Sequence, residues 1–317
     1  MRLVFFGDGP WATASLERLL KDGHSVLLTV LRSRPSDQSL EVAARSAGIE
    51  IVQATDAAAS DFVARVGRHA PDLGISVSYD QILRPELIGL PRLGFINFHA
   101  GMLPRYRGRN VINWAIINNE KEIGVTAHFI DAGIDTGDII LQRKLPILWE
   151  DDYASVLTRV THAMPDIVSD AVSIFDAGTV VRTRQDDIVA TYFSARREGD
   201  EWIDWRDTSL DIYNKIRAIA APGPGARTLC DRKLLLIWKT RYDPAWPKYM
   251  ATPGEVIGRS PGEGAIVKTG DSTLLISAAQ FPGAQPFSPK WPIGTRLGIS
   301  YADIVSAITS MKVQAGA

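Results

Sequence analysis

The sequence predicts an α/β protein, with a doubly wound and mostly parallel sheet followed by a smaller β-rich unit. Three observations predict it. Short apolar runs alternate with amphipathic stretches of about 10–12 residues through the first half, the pattern of successive βαβ units. Glycines stand just past the amphipathic stretches, where left-handed caps end helices. Beyond about residue 195 the apolar runs stay short, and Gly, Pro and turn pairs separate them without helices between, which suggests a small barrel or sandwich.

In chain order, RLVFFG (2–7) reads as a strand and ATASLERLLKDG (12–23) as a helix closed by Gly23. HSVLLTVLR (24–32) is a second strand and SLEVAARSAG (39–48) a second helix, closed by Gly48. EIVQ (50–53), a helix around 60–70, DLGISVSY (72–79) and LGFINFH (93–99) continue the series. A helix NVINWAIINNE (110–120) follows, then two β-like runs, GVTAHFI (124–130) and DIILQRKLPI (138–147). The turn between those two predicts that the sheet ends in an antiparallel pair. The stretch 151–178 reads as a long helix that Pro165 should kink or divide. A helix is expected at 209–221, ended by PGPG, and then the β-rich runs such as KLLLIWKT, GAIVKTG and STLLISAAQ. The expected domains are 1–195 and 205–317.

At 317 residues the chain has room for two domains. A hydrophobic content of 45%, a charged content of 22% and a formal charge of −1 are ordinary for a soluble protein and lack the basic excess of a general nucleic-acid binder. The single cysteine, Cys230, excludes an intramolecular disulfide and most cysteine-built metal sites, so no metal is expected. The apolar run Leu3 to Phe6 is too short for a signal peptide, and no segment approaches a membrane span. A cytoplasmic location is expected.

FFGDGPWA (5–12) offers a glycine turn after the first strand, but the acidic residue of a dinucleotide fingerprint is missing after the second strand. A tight strand-to-helix turn is the favoured reading. The denser signal is FINFHAGMLPRYRGRN (95–110), which packing alone does not explain. Asn97 and His99 end a central strand, where ligands of open α/β sheets bind, and being two apart they share a face. An amide and an imidazole projected together supply a hydrogen-bond donor and an acid/base group.

The longer run 97–140, NFHAGMLPRYRGRNVINWAIINNEKEIGVTAHFIDAGIDTGDII, resembles the core of the formyltransferases that use N10-formyltetrahydrofolate. The shared pattern is Asn-x-His, LPRYRG (103–108), GVT (124–126) and DTG (135–137), in order and at fitting spacing. The resemblance extends more weakly to IRAIAAPGPGART, near the start of the second domain. It implies a Rossmann-like catalytic domain, N10-formyltetrahydrofolate as co-substrate, no metal, and Asn97, His99 and Asp135 as catalytic residues. In that chemistry Asn97 and His99 donate to the oxyanion of a tetrahedral intermediate, and Asp135 polarises His99. One departure stands out, because relatives carry Ser-Leu where this chain has Gly101 and Met102. His128 reads as a structural strand residue. The resemblance also places Tyr79, Ile82 and Leu83 along the pterin pocket, with Asp131, Gly133 and Ile134 opposite.

The resemblance implies an amine as the acceptor. Relatives acting on methionyl-tRNA usually carry a basic insertion after the second strand, and LRSRPSDQSLEVAARSAG has no room for one. RYRGRNVINW looks most like enzymes that formylate nucleotide-linked amino sugars, which makes Arg105, Arg107 and Arg109 candidate diphosphate contacts. The expectation is therefore a small nucleotide-sugar acceptor, with a role in polysaccharide biosynthesis and a homodimer allowed. Methionyl-tRNA is the alternative, and a non-catalytic folate or sugar-nucleotide binder is a minor one. A nucleic-acid-binding C-terminal barrel is disfavoured, since Trp238 and Tyr242 lack a basic surround.

Overall fold

The computed structural model describes residues 1–299. The chain divides into two units. The first comprises residues 1–115, 120–149 and 155–195, and the second residues 116–119, 150–154 and everything from Arg196 onward.

The elements run β1 (Arg2–Gly7), α1 (Gly9–Lys21), β2 (Ser25–Leu31), α2 (Ser39–Ser46), β3 (Glu50–Gln53), α3 (Ser60–Arg68), β4 (Leu73–Val77) and the single turn α4 (Pro85–Ile88). They continue with β5 (Phe95–His99), the two-residue β6 (Arg107–Gly108), α5 (Val111–Ile117), β7 (Glu122–Phe129), β8 (Ile139–Pro146), α6 (Tyr153–Asp176) and β9 (Tyr192–Phe193). The main sheet has seven strands in the order β3-β2-β1-β4-β5-β7-β8. The first five positions are parallel, while β7 runs antiparallel to both β5 and β8. The sheet thus ends in the antiparallel pair that the turn between the last two runs predicts.

Two glycines set how closely this unit packs. A Cβ on Gly7 would stand 2.8 Å from Ala12 Cβ and 3.0 Å from the Val77 carbonyl, so only glycine lets α1 leave β1 at that approach. The glycine turn is closed from within: buried Asp8 accepts from the Ser36 amide and pairs with Arg32 at 3.2 Å. On β4, a Cβ on Gly74 would meet the Phe95 ring at 2.3 Å. Phe6 packs edge-on against Phe62, Tyr79 and Phe95 at centroid distances of 6.1, 5.2 and 5.1 Å. Each such aromatic pair contributes roughly 0.5–1.5 kcal/mol beyond area burial.

Pro165 does not divide α6, which is helical from Tyr153 to Asp176. The proline removes one helix bond at a cost of about 3 kcal/mol. Burial of Met164, Ile167, Val168 and Ala171 around it offsets that cost. A second difference from expectation is the parallel ladder between β6 and β9, which brings the chain after α6 back over the residues that follow β5.

The second unit begins its regular structure with α7 (Ser209–Ala218), capped by Thr208, whose hydroxyl accepts from the Asp211 amide. Then follow β10 (Ala226–Cys230), β11 (Lys233–Arg241), β12 (Val256–Ser260), β13 (Gly264–Lys268) and β14 (Thr273–Gln280). They form a five-stranded antiparallel sheet in the order β10-β11-β14-β13-β12. Its two edges are joined through a short strip: Cys230 bridges to Leu297 at one edge, and Glu255 to Arg296 at the other. The strip closes the sheet on itself in the barrel-like way the punctuated sequence suggests. Among the described residues no helix is long and apolar enough to cross a membrane.

Candidate active site

The carboxyl end of β5 carries Asn97 and His99, and the antiparallel register with β7 sets Asn97 opposite His128 and His99 opposite Thr126. Residues directly opposite project to the same face. The face therefore gathers an amide, two imidazoles and a hydroxyl. The loop between β7 and β8 adds Asp135, which sits at φ +56°, a left-handed conformation that costs a non-glycine residue free energy. Its Oδ2 lies 3.5 Å from His99 Nδ1 and its Oδ1 3.5 Å from His128 Nε2. The Gly108 amide donates to Oδ2 at 2.8 Å.

Hydrogen-bond partners decide which ring nitrogens carry protons. His99 Nε2 is 2.6 Å from the Tyr106 carbonyl and His128 Nδ1 is 2.8 Å from the Phe129 carbonyl. A carbonyl only accepts, so both of those nitrogens are protonated. Neutral His128 then offers its Nε2 lone pair, which accepts from Asn97 Nδ2 at 3.2 Å. That contact orients the Asn97 amide and leaves its second N–H for a ligand. His99 Nδ1 remains as the open proton acceptor, beside the Asp135 carboxylate.

The ionisation states follow the same logic. Burial lowers the pKa of His99 from the ordinary 6.5, against the opposing pull of Asp135 and the Tyr106 carbonyl. Burial pushes the Asp135 carboxyl up, but His99, His128 and the Gly108 amide outweigh it and hold Asp135 well below the usual carboxylate range. The resting site is a carboxylate beside a neutral imidazole that is ready to take a proton.

The remaining predicted residues divide. Tyr79 packs on the hydrophobic cluster beneath α3 and α4, and its hydroxyl and the Asp80 Oδ1 are buried without a hydrogen-bond partner. Those two orphaned polar atoms fit a ligand with several donors, such as a pterin. Ile82 is 70% exposed, and Ile134 is exposed with Asp131 and Gly133 on the loop before Asp135. Asp131 folds its carboxylate onto its own loop, accepting from the Gly133 amide and the Thr136 hydroxyl. Leu83 is a correction: it belongs to the buried core cluster with Leu87 and Phe95, and its side chain is spent on packing.

Arg107 is the second correction. It is 1% exposed and bonded to Gln185, Asp187 and the Tyr192 hydroxyl, so it is buried away from a substrate diphosphate. The β6–β9 ladder and the chain after α6 cover it. Arg105 and Arg109 are exposed, with Arg109 donating to the Asp80 carbonyl at 3.1 Å. His128 is a site residue that reading β7 alone passes over, because its role follows from the register with β5. The departure at Gly101 also has a physical basis. A Cβ there would stand 2.5 Å from His99 Nε2 and 2.7 Å from the Tyr106 carbonyl, in the space that their hydrogen bond uses.

Residues 1–172 match the family described as Formyl transferase, and residues 197–293 match Formyl transferase, C-terminal domain. The chain belongs to the formyltransferase family. This formyltransferase is 32% identical to a methionyl-tRNA formyltransferase of Geobacter sulfurreducens over 291 residues, 89% of this chain and 90% of that one. It is 34% identical to the methionyl-tRNA formyltransferase of Pelotomaculum thermopropionicum over 297 residues, 91% and 93% of the two chains. Among solved structures it is similar in fold to WlaRD, a sugar 3N-formyl transferase crystallised with dTDP and 5-N-formyl-THF. There the TM-score is 0.68 at 23% identity, covering 90% of this chain and 99% of that one. HypX from Aquifex aeolicus in complex with tetrahydrofolic acid superposes at a TM-score of 0.62 and 19% identity, over 91% of this chain and 46% of that one. The family is N10-formyltetrahydrofolate-dependent, and the enzyme is a one-carbon-group transferase.

Proposed function

We propose that this formyltransferase moves the formyl group of N10-formyltetrahydrofolate to the α-amine of methionyl-tRNA. The observation that carries the acceptor is the end-to-end similarity to methionyl-tRNA formyltransferases, which spans both domains and 90% of the Geobacter sulfurreducens enzyme. The sugar enzymes share the fold at 23% identity, a likeness that leaves the acceptor open.

Asn97, His99 and Asp135 carry the chemistry. The acceptor amine attacks the formyl carbon, and the carbonyl oxygen becomes an oxyanion to which the free Asn97 N–H donates. The nitrogen loses a proton to His99 Nδ1, and the imidazolium is held by Asp135. The bond from the formyl carbon to N10 then breaks, and the proton passes to N10 as tetrahydrofolate leaves. With its Nε2 proton committed to Tyr106, His99 acts here as the base, and Asn97 as the oxyanion donor. The buried Tyr79 hydroxyl and Asp80 oxygen take part in holding the pterin, with the loop 131–134 across from them. Arg105 and Arg109 serve an anionic acceptor.

A second acceptor, a nucleotide-linked amino sugar, is favoured by one observation. The connection between β2 and α2 is residues 32–38, and it is pinned by Asp8 to the Ser36 amide and to Arg32, with no basic insertion projecting from it. The two readings separate in one assay. Tetrahydrofolate release is followed with methionyl-tRNA and with 3-amino and 4-amino sugars on UDP, dTDP and GDP, and Asp135→Asn is the control. Turnover with methionyl-tRNA that the control abolishes supports the first reading. Turnover with a sugar nucleotide alone replaces it.

A further inference from the structure

The segment after α6 carries no motif, yet it crosses both loops that frame Asp135. Its Thr183 exchanges backbone hydrogen bonds with Ile139 at 2.8 and 2.9 Å, at the end of the Asp135 loop. Its Thr191 and Phe193 carbonyls accept from the Arg107 and Arg109 amides at 2.9 and 2.8 Å, in the loop that follows β5. Between those anchors one side chain turns inward. Gln185 is 6% exposed, while residues 181–184 and 186–189 on either side are exposed.

Every polar atom of that side chain is committed. Gln185 Nε2 donates to the Asp135 carbonyl at 2.9 Å and to the Gly137 carbonyl at 2.7 Å. Its Oε1 accepts from Arg107 Nε at 3.0 Å and from Arg107 Nη2 at 2.8 Å. The residue after Arg107, Gly108, donates its amide to the Asp135 carboxylate. Asp135 is therefore gripped at its backbone through Gln185 and at its side chain through Gly108, and Arg107 ties the two grips together. An aspartate at φ +56° needs such over-determination to persist.

The geometry assigns to Gln185 the role of positioning residue for Asp135, with buried Arg107 as its strut. Gln185 touches no substrate. It sets the distance between the carboxylate and His99 on which proton transfer depends, and an error of about 1 Å in such a distance costs on the order of 100-fold in rate. The inference rests on the catalytic reading of Asp135.

Gln185→Glu separates the two halves of the side chain. A carboxylate still accepts from Arg107, but it presents lone pairs to the carbonyls of Asp135 and Gly137. Gln185→Met, of similar shape, loses both sets of bonds. The full chain carrying each variant is assayed for tetrahydrofolate release from N10-formyltetrahydrofolate with the acceptor that turns over. The pH dependence of kcat is measured for Gln185→Met, and thermal melting for both. The expected result for both variants is a kcat lower by about 10–100-fold, with KM for the folate within about twofold. Gln185→Glu keeps the Arg107 bonds but leaves two carbonyls without a donor, so its melting temperature should fall by several degrees, while its kcat falls by the larger factor. In Gln185→Met the acidic limb of kcat should move to lower pH, because a displaced carboxylate no longer raises the pKa of His99. Parental kcat in Gln185→Glu alongside an inactive Asp135→Asn overturns the assignment of Gln185 alone. An active Asp135→Asn overturns the catalytic reading and this one with it.

Discussion

Gly101→Ala tests how the site holds its base. The added Cβ would stand 2.5 Å from His99 Nε2, 2.8 Å from His99 Cδ2 and 2.7 Å from the Tyr106 carbonyl oxygen. Ordinary contacts of this kind are about 3.5–4 Å, so something must withdraw by about 1 Å. The Tyr106 carbonyl belongs to a backbone tied to Thr191 through its amide, which leaves the His99 ring as the part that moves. The ring then loses its bond to Tyr106 and its alignment with Asp135. A buried carbonyl left without its donor costs about 1–3 kcal/mol, which for a domain of this size lowers the melting temperature by roughly 2–10 °C. A 1 Å displacement of the base costs about 100-fold in kcat, or about 2.7 kcal/mol of transition-state stabilisation. The assay is tetrahydrofolate release under saturating N10-formyltetrahydrofolate, paired with calorimetric melting. An alanine variant with parental kcat and parental melting temperature would refute the argument, since it would mean that the contact with Tyr106 holds nothing.

Asn97→Ala should lower kcat by about 100–1,000-fold, the usual loss for one oxyanion donor, with little change in KM for the folate. Tyr79→Phe removes a buried hydroxyl that lacks a partner in the free protein, so it should raise the melting temperature while weakening folate binding in titration calorimetry. Burial holds His99 below its ordinary 6.5, so the base form persists and kcat should stay level as pH falls through 6.5, declining only beneath it. A decline centred above 6.5 would contradict that sign. Arg107→Ala leaves the buried Gln185 Oε1 without its donor, while Asp187 and Tyr192 are exposed to solvent, and should cost about 1–3 kcal/mol in chemical denaturation. Arg105→Ala should leave stability unchanged and raise KM for the acceptor.

How far these residues could be read before folding depended on where their partners lie. Asn97 and His99 sit two apart on one strand, so strand periodicity alone puts them on one face, and the DTG motif supplies Asp135. His128 is also on a strand, but its contact with Asn97 needs the register between β5 and β7, which neither strand shows by itself. Arg107 lies between two arginines that are exposed, in a loop where charge ordinarily means surface. It is buried by residues roughly 80 positions later, including Gln185 and Tyr192, and nothing local announces them. Leu83 fails for the same reason, since α3, α4 and Phe95 converge on it only in three dimensions. The parallel sheet was legible because alternation repeats over many residues. The β6–β9 ladder was not, because two residues carry no period. Pro165 reads as a breaker by local rules, and tertiary burial overrides it.

The crossing of residues 183–193 over the Asp135 loop bears on how this enzyme could be cut and recombined. The similarity to the catalytic family region ends at residue 172, and that to the C-terminal region begins at 197. A chimaera joined at the first of those borders would inherit Asn97, His99 and Asp135 intact, and would still replace the side chain that aims the last of them. A splice placed after Phe193 carries the aiming device along with the motif. The interval that looks like a linker is thus part of the catalytic module, and exchange of C-terminal domains between relatives should succeed or fail on which side of it the junction falls.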